Sequence, residues 1–154
     1  MSVLTQQYAT FLQQFSWSYF LTARTPYKVN LQTPINWSNR LLSNDKVDRV
    51  FYSVERDMGD WTNKHVHMLV GTNRPMSYNE TRSSLGNIAV GDYELIESPK
   101  AVTNYVTKFV DRDCEYDLIF NSSKIMFAKK FFLFVQRQIV NLFFRNARIS
   151  FTSS

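Results

Sequence analysis

Cysteine, glycine, proline and histidine are all scarce in this 154-residue chain, at one, four, four and two residues. Each scarcity excludes something. Cys114 has no second thiol with which to form an internal disulfide, and the opening stretch MSVLTQQYAT has neither the basic region nor the apolar core of a secretory signal, so a reducing, intracellular setting is expected. The glycines, at 59, 71, 86 and 91, are scattered and no G-x-x-x-x-G-K-[ST] run occurs, which argues against a P-loop ATPase. The most apolar segment, FFLFVQRQIVNLFF at 131–144, is interrupted by Gln136, Arg137, Gln138 and Asn141. It falls short of the roughly 20 apolar residues that span a bilayer, so no transmembrane segment is expected. Acidic residues stop at Asp117, whereas Lys124, Lys129, Lys130, Arg137, Arg145 and Arg148 follow it, in a chain of net charge +5. That asymmetry fits a polyanionic partner, either nucleic acid or an anionic membrane surface.

What is present suffices for one ordinary domain with its own core: 44% of the residues are hydrophobic and 16% aromatic. Periodicity predicts strands at 17–23, 47–56, 65–72, 90–97 and 115–120. It predicts helices within 34–43, near 78–85, from Pro99 through 111, and at 128–146. Ser77 with Glu80 forms a capping-box pattern, Gly86 ends the helix that it starts, and Ser98-Pro99 places an N-cap before a proline at the first helical position. The expected organisation is a core over 1–121 and a basic, Phe-rich C-terminal helix over 122–154, packed on the same domain.

Both histidines of the chain stand two residues apart in KHVHMLV, 64–70. Side chains alternate along a strand, so His65, His67 and Leu69 share one face. If 47–56 pairs with this strand, Phe51, Ser53 and Glu55 line one face of it and bring a carboxylate across from the histidines. Two imidazoles and a carboxylate make a three-ligand site with open positions, and the mixed nitrogen and oxygen set suits Mn²⁺ or Mg²⁺. The same residues can also be ordinary sheet histidines beside a surface glutamate. On the helix after Pro99, Val102, Val106, Phe109 and Val110 form a core stripe with Tyr105 on its border and Lys108 one turn on. A tyrosine with an ordinary pKa of about 10 beside an ammonium is a candidate nucleophile, or else a packing anchor.

FLT at 20–22, HVHML at 65–69 and YVTK at 105–108 resemble, in order, the three motifs of the HUH endonuclease superfamily. The likeness is greatest to the single-tyrosine rolling-circle replication initiators (Rep proteins) of plasmids, phages and small circular DNA viruses. It covers most of residues 17–111. The resemblance implies an α+β fold: an antiparallel sheet of about five strands on a ferredoxin-like or RRM-like core, flanked by helices. It further implies Glu55, His65 and His67 as metal ligands, Tyr105 as the nucleophile with Lys108 beside it, and Asp111 as an accessory acid.

The activity so implied is sequence-specific nicking and joining of single-stranded DNA at an origin hairpin or similar site. A 5′-phosphotyrosine and a free 3′-hydroxyl result, and that hydroxyl initiates rolling-circle replication. Without a P-loop, a separate helicase is expected alongside a polymerase, or the chain is part of a longer initiator. The compartment would be a bacterial cytoplasm, or the host nucleus for a eukaryotic virus.

A single-tyrosine transposase of the same superfamily is the nearest alternative. Such enzymes usually carry a glutamine after the tyrosine, and 101–113 contains none. From another class, a non-catalytic single-strand-binding module would stack bases on aromatics such as Trp61. The C-terminal helix, with Phe132, Val135, Ile139, Leu142 and Phe143 on one face and Lys130, Arg137, Asn141 and Arg145 on another, serves packing, self-association, DNA contact or membrane contact.

Overall fold

The computed structural model describes residues 2–57, 60–86, 88–112 and 114–121, with the side chains of 60–62 excepted. The Trp61 ring, the expected helix at 128–146 and the basic residues from Lys124 onward lie outside what is described. Within it, the order is α1 (Val3–Leu12), β1 (Tyr19–Arg24), α2 (Gln32–Leu42), β2 (Val47–Asp57), β3 (Asp60–Thr72), α3 (Tyr78–Ser84), β4 (Ala89–Leu95), α4 (Pro99–Val106) and β5 (Tyr116–Phe120). The strands form one open antiparallel sheet in the order β4-β1-β3-β2-β5. The run β1-α2-β2-β3-α3-β4 is the ferredoxin-like split β-α-β arrangement, and β5 extends it beyond β2.

Strand alternation divides the core into two layers. Leu21, Val50, Tyr52, Val54, Val66, Met68 and Val70 pack on one face beneath Trp37, Leu41 and Leu42 of α2, with Met76 and Leu85 flanking α3. On the opposite face Phe20, Phe51 and Leu69 pack beneath Leu12 of α1 and Val106 of α4. Phe51 and Leu69 are almost wholly excluded from solvent, and such burial contributes about 1.5–3 kcal/mol per side chain. Further along this second face the apolar residues give way to Thr22, Ser53, Glu55, His65 and His67. The polar end holds the candidate site.

Local chemistry explains most boundaries. Ser77 and Glu80 form the reciprocal capping box at the start of α3, and Gly86 takes φ +80° just after it, a left-handed conformation that glycine adopts without strain. Ser98 caps α4 through Ala101 N–H with Pro99 in the first turn. Two expectations are corrected, and one helix is new. The helix expected from Pro99 to 111 ends at Val106, so Phe109 and Val110 follow it in turns instead of continuing its stripe, and Thr103 joins Val106 as its buried residues. The β-branched Thr103, Val106 and Thr107 disfavour continuation, and the Thr103 and Thr107 hydroxyls bond back to Pro99 O and Thr103 O, each at 2.8 Å. β3 begins at Asp60, which makes the β2–β3 connection much shorter than the expected loop. Finally, α1 was not expected, because its buried positions are Thr5, Ala9 and Leu12, a stripe with one large apolar residue.

Candidate metal and nucleophile site

Register fixes the donors. Glu55 of β2 lies opposite His65 of β3, and His67 lies between Ser53 of β2 and Thr22 of β1. Glu55, His65 and His67 therefore stand on one sheet face, with donor atoms all within 4.8 Å of one another. His67 Nε2 is 3.1 Å from His65 Nε2 and 3.0 Å from Glu55 Oε2, and His65 Nε2 is 3.9 Å from the same oxygen. Neighbouring ligands about 2.1 Å from an octahedral cation are about 3 Å apart, so two separations match that edge and the third is wider. The donor set fits a divalent cation.

Each imidazole has a partner behind it. Thr22 Oγ1 lies 3.0 Å from His67 Nδ1, and Phe20 stacks on the His67 ring at 5.5 Å. Burial is the main cause that pushes His67 down to about 4, with the neighbouring His65 adding to it against the pull of Glu55. The ring is neutral near pH 7, as a metal ligand must be. Behind His65, Asp57 Oδ1 approaches Nδ1 to 2.7 Å. The approach is close in distance but out of line for an N–H donor, so buried Nδ1 gains an electrostatic contact without a well-formed hydrogen bond. The Asp57 carboxyl is held below the ordinary carboxylate range chiefly by the Arg24 guanidinium.

Tyr105 stands on the last turn of α4, 44% exposed, with its hydroxyl 3.4 Å from His67 Nε2. Its ring meets His67 at 5.1 Å and Phe20 at 5.7 Å, both edge-on. Lys108, just past the helix end, places its ammonium 4.0 Å from the Tyr105 ring centroid and 2.9 Å from Glu55 Oε2. The early end of α4 thus leaves Lys108 close to Tyr105 through a turn and not through helical spacing.

Of the residues singled out from sequence, Glu55, His65, His67, Tyr105 and Lys108 come together. Asp111 lies elsewhere: it is exposed, and the Ser2 hydroxyl before α1 is the main cause that lowers its pKa. Arg24, Asp57 and Asn63 were missed, although a signal existed. Each is two residues from a residue of the site, in the patterns T-x-R, E-x-D and N-x-H-x-H, and so belongs to the same strand face.

The described residues contain no helix long and apolar enough to cross a membrane. Comparison of the chain with protein-family models, curated proteins and solved structures finds no match.

Proposed function

We propose that this protein nicks and rejoins single-stranded DNA through Tyr105, as its resemblance to HUH replication initiators implies. The observation that carries this reading is the approach of the Tyr105 hydroxyl to 3.4 Å from His67 Nε2, at the edge of the Glu55, His65 and His67 donor set. Support also comes from the exposure of Tyr105, which leaves the hydroxyl open to a substrate, and from Lys108, which faces both the ring and Glu55.

Glu55, His65 and His67 would hold Mn²⁺ or Mg²⁺, which when bound supplies Lewis-acid polarisation of a phosphate oxygen. The remaining chemistry belongs to the side chains. Tyr105 Oη attacks the scissile phosphorus in line, and its bond to phosphorus forms as the bond to the 3′ oxygen breaks. The phenolic proton leaves to solvent and the departing oxygen acquires one, so a 5′-phosphotyrosine and a free 3′-hydroxyl result. One phosphoester replaces another, and the 3′-hydroxyl of a second strand can reverse the step as joining. Phe20 packs against both His67 and Tyr105 and limits the freedom of the two rings. Initiation of rolling-circle replication, with a separate helicase and polymerase, is the role that this chemistry serves.

The test is direct. Full-length protein incubated with single-stranded oligonucleotides and Mn²⁺ should give an adduct that survives denaturation, carried on the peptide containing Tyr105. Tyr105→Phe keeps the ring contacts and should bind oligonucleotide while forming no adduct. Mass-spectrometric location of the nucleotide on another residue overturns the assignment of Tyr105. Retention of oligonucleotide by the wild type without any adduct favours the non-catalytic binding module.

A further inference from the structure

Beyond the donor atoms, the polar end of the sheet carries a second layer of charge that the proposed cutting chemistry does not use. Arg24 Nη1 and Nη2 donate to Asp57 Oδ2 and Oδ1 at 2.8 and 3.2 Å, a bidentate pair that ties the end of β1 to the end of β2. Asn63 Nδ2 of β3 donates to Asp57 Oδ2 at 2.8 Å. With these three donors engaged, Asp57 presents Oδ1 to His65 Nδ1 at 2.7 Å. The approach is out of line for a hydrogen bond, but a bare ring nitrogen and a carboxylate oxygen this close would repel, so the contact is favourable only with the ring proton on the sealed Nδ1.

We propose that Asp57, fixed by Arg24 and Asn63, is a positioning residue that holds His65 with its proton on Nδ1 and so keeps Nε2 free to bind a divalent cation. The inference rests on the metal site proposed above. Its logic is electrostatic and geometric. A carboxylate behind an imidazole orients the ring and raises the basicity of the opposite nitrogen, and loss of such a partner typically costs 10- to 100-fold in metal affinity. Here the carboxylate does not act alone. The Arg24 pair balances its charge and locks its plane, and the three strands that supply Arg24, Asp57 and Asn63 are those that supply Thr22, Glu55 and His67. The second layer thereby couples the orientation of His65 to the pairing of β1, β2 and β3.

Asp57→Asn tests this with little change of shape. In the aspartate, Oδ2 accepts from both Arg24 and Asn63, so the amide oxygen of asparagine should settle there. The amide nitrogen then faces His65, donates to Nδ1 and drives the ring proton to Nε2. Long-range ¹H–¹⁵N NMR of the histidine rings in chelator-treated, full-length protein should show His65 protonated on Nδ1 in the wild type and on Nε2 in Asp57→Asn. Mn²⁺ titration should show affinity reduced about 10- to 100-fold in the variant. An unaltered His65 tautomer in Asp57→Asn overturns the inference even if Mn²⁺ binds normally. Wild type that shows the expected tautomer but binds no Mn²⁺ sinks the metal site, and with it the proposed purpose of Asp57. Should Asp57→Asn unfold, Arg24→Ala is the second probe: it leaves the carboxylate present but untethered, and Mn²⁺ affinity equal to wild type would count against positioning.

Discussion

Replacing Thr22 by valine isolates one polar atom of the site. Thr22 is the cross-strand partner of His67, the two are 4% and 3% exposed, and Thr22 Oγ1 is 3.0 Å from His67 Nδ1. Valine preserves the branched outline and removes the hydroxyl, so a buried ring nitrogen is left without its partner. The unmet desolvation costs about 1–3 kcal/mol. At roughly 3 °C per kcal/mol for a chain of this size, the melting temperature should fall by about 3–9 °C. A second consequence concerns function. A cation on Nε2 requires the ring proton on Nδ1, where the hydroxyl can accept it, and without the hydroxyl that tautomer loses its partner, so Mn²⁺ affinity should fall about 10- to 100-fold. Thermal melts in EDTA read the first effect and Mn²⁺ titration the second, with Thr22→Ser as the control that keeps the hydroxyl. Melting and Mn²⁺ binding of Thr22→Val indistinguishable from wild type would refute the reasoning, because the hydroxyl would then be satisfying nothing.

Two further outcomes are expected. Glu80 is drawn down to about 2, first by its bond to Lys46 and then by the Ser77 backbone. A carboxylate whose folded pKa is depressed stabilises the fold fully above its ordinary value of 4.5 and loses that contribution as pH falls toward 2. Denaturation of wild type and Glu80→Gln should therefore differ near neutral pH and converge across that window, and a constant gap would remove Glu80 as the cause. Asp111→Asn should leave Mn²⁺ affinity and adduct formation unchanged, since the group that acts most on its carboxyl, Ser2, belongs to the start of α1 and not to the donor set. A well-folded Asp111→Asn protein that forms no adduct would return Asp111 to the chemistry.

How much of this was legible follows from the range of each interaction. The face shared by His65 and His67 needed only the two-residue repeat of a strand, and the caps of α3 and α4 needed only neighbours three residues apart. α1 escaped notice because burial of Thr5 and Ala9 depends on what packs over them, and small or polar residues carry no stripe of their own. The end of α4 at Val106 was hidden for a related reason. An apolar spacing that continues through Phe109 and Val110 is equally compatible with a turn that buries Val110, and the helix ends with Thr107 as its C-cap.

The sequence by itself determined the alternation that sorts residues to sheet faces, the strength of the apolar strands, and the kinds of donor available: two imidazoles, a few carboxylates, and a tyrosine followed by a lysine. Tertiary structure decided which of these meet. Placing β3 between β1 and β2 puts Thr22 on one side of His67 and Ser53 on the other, with Glu55 across from His65, through pairings between residues far apart in the chain. Packing of Val106 against Phe20, Phe51 and Leu69 sets where α4 crosses the sheet, and hence where Tyr105 stands. The bidentate grip of Arg24 on Asp57 likewise exists because the ends of β1 and β2 come within reach of one another across β3. Donor chemistry is a property of single residues and can be read one position at a time. Distances near 3 Å between donors arise only when long-range strand pairing and core packing, which no local pattern encodes, have chosen the neighbours.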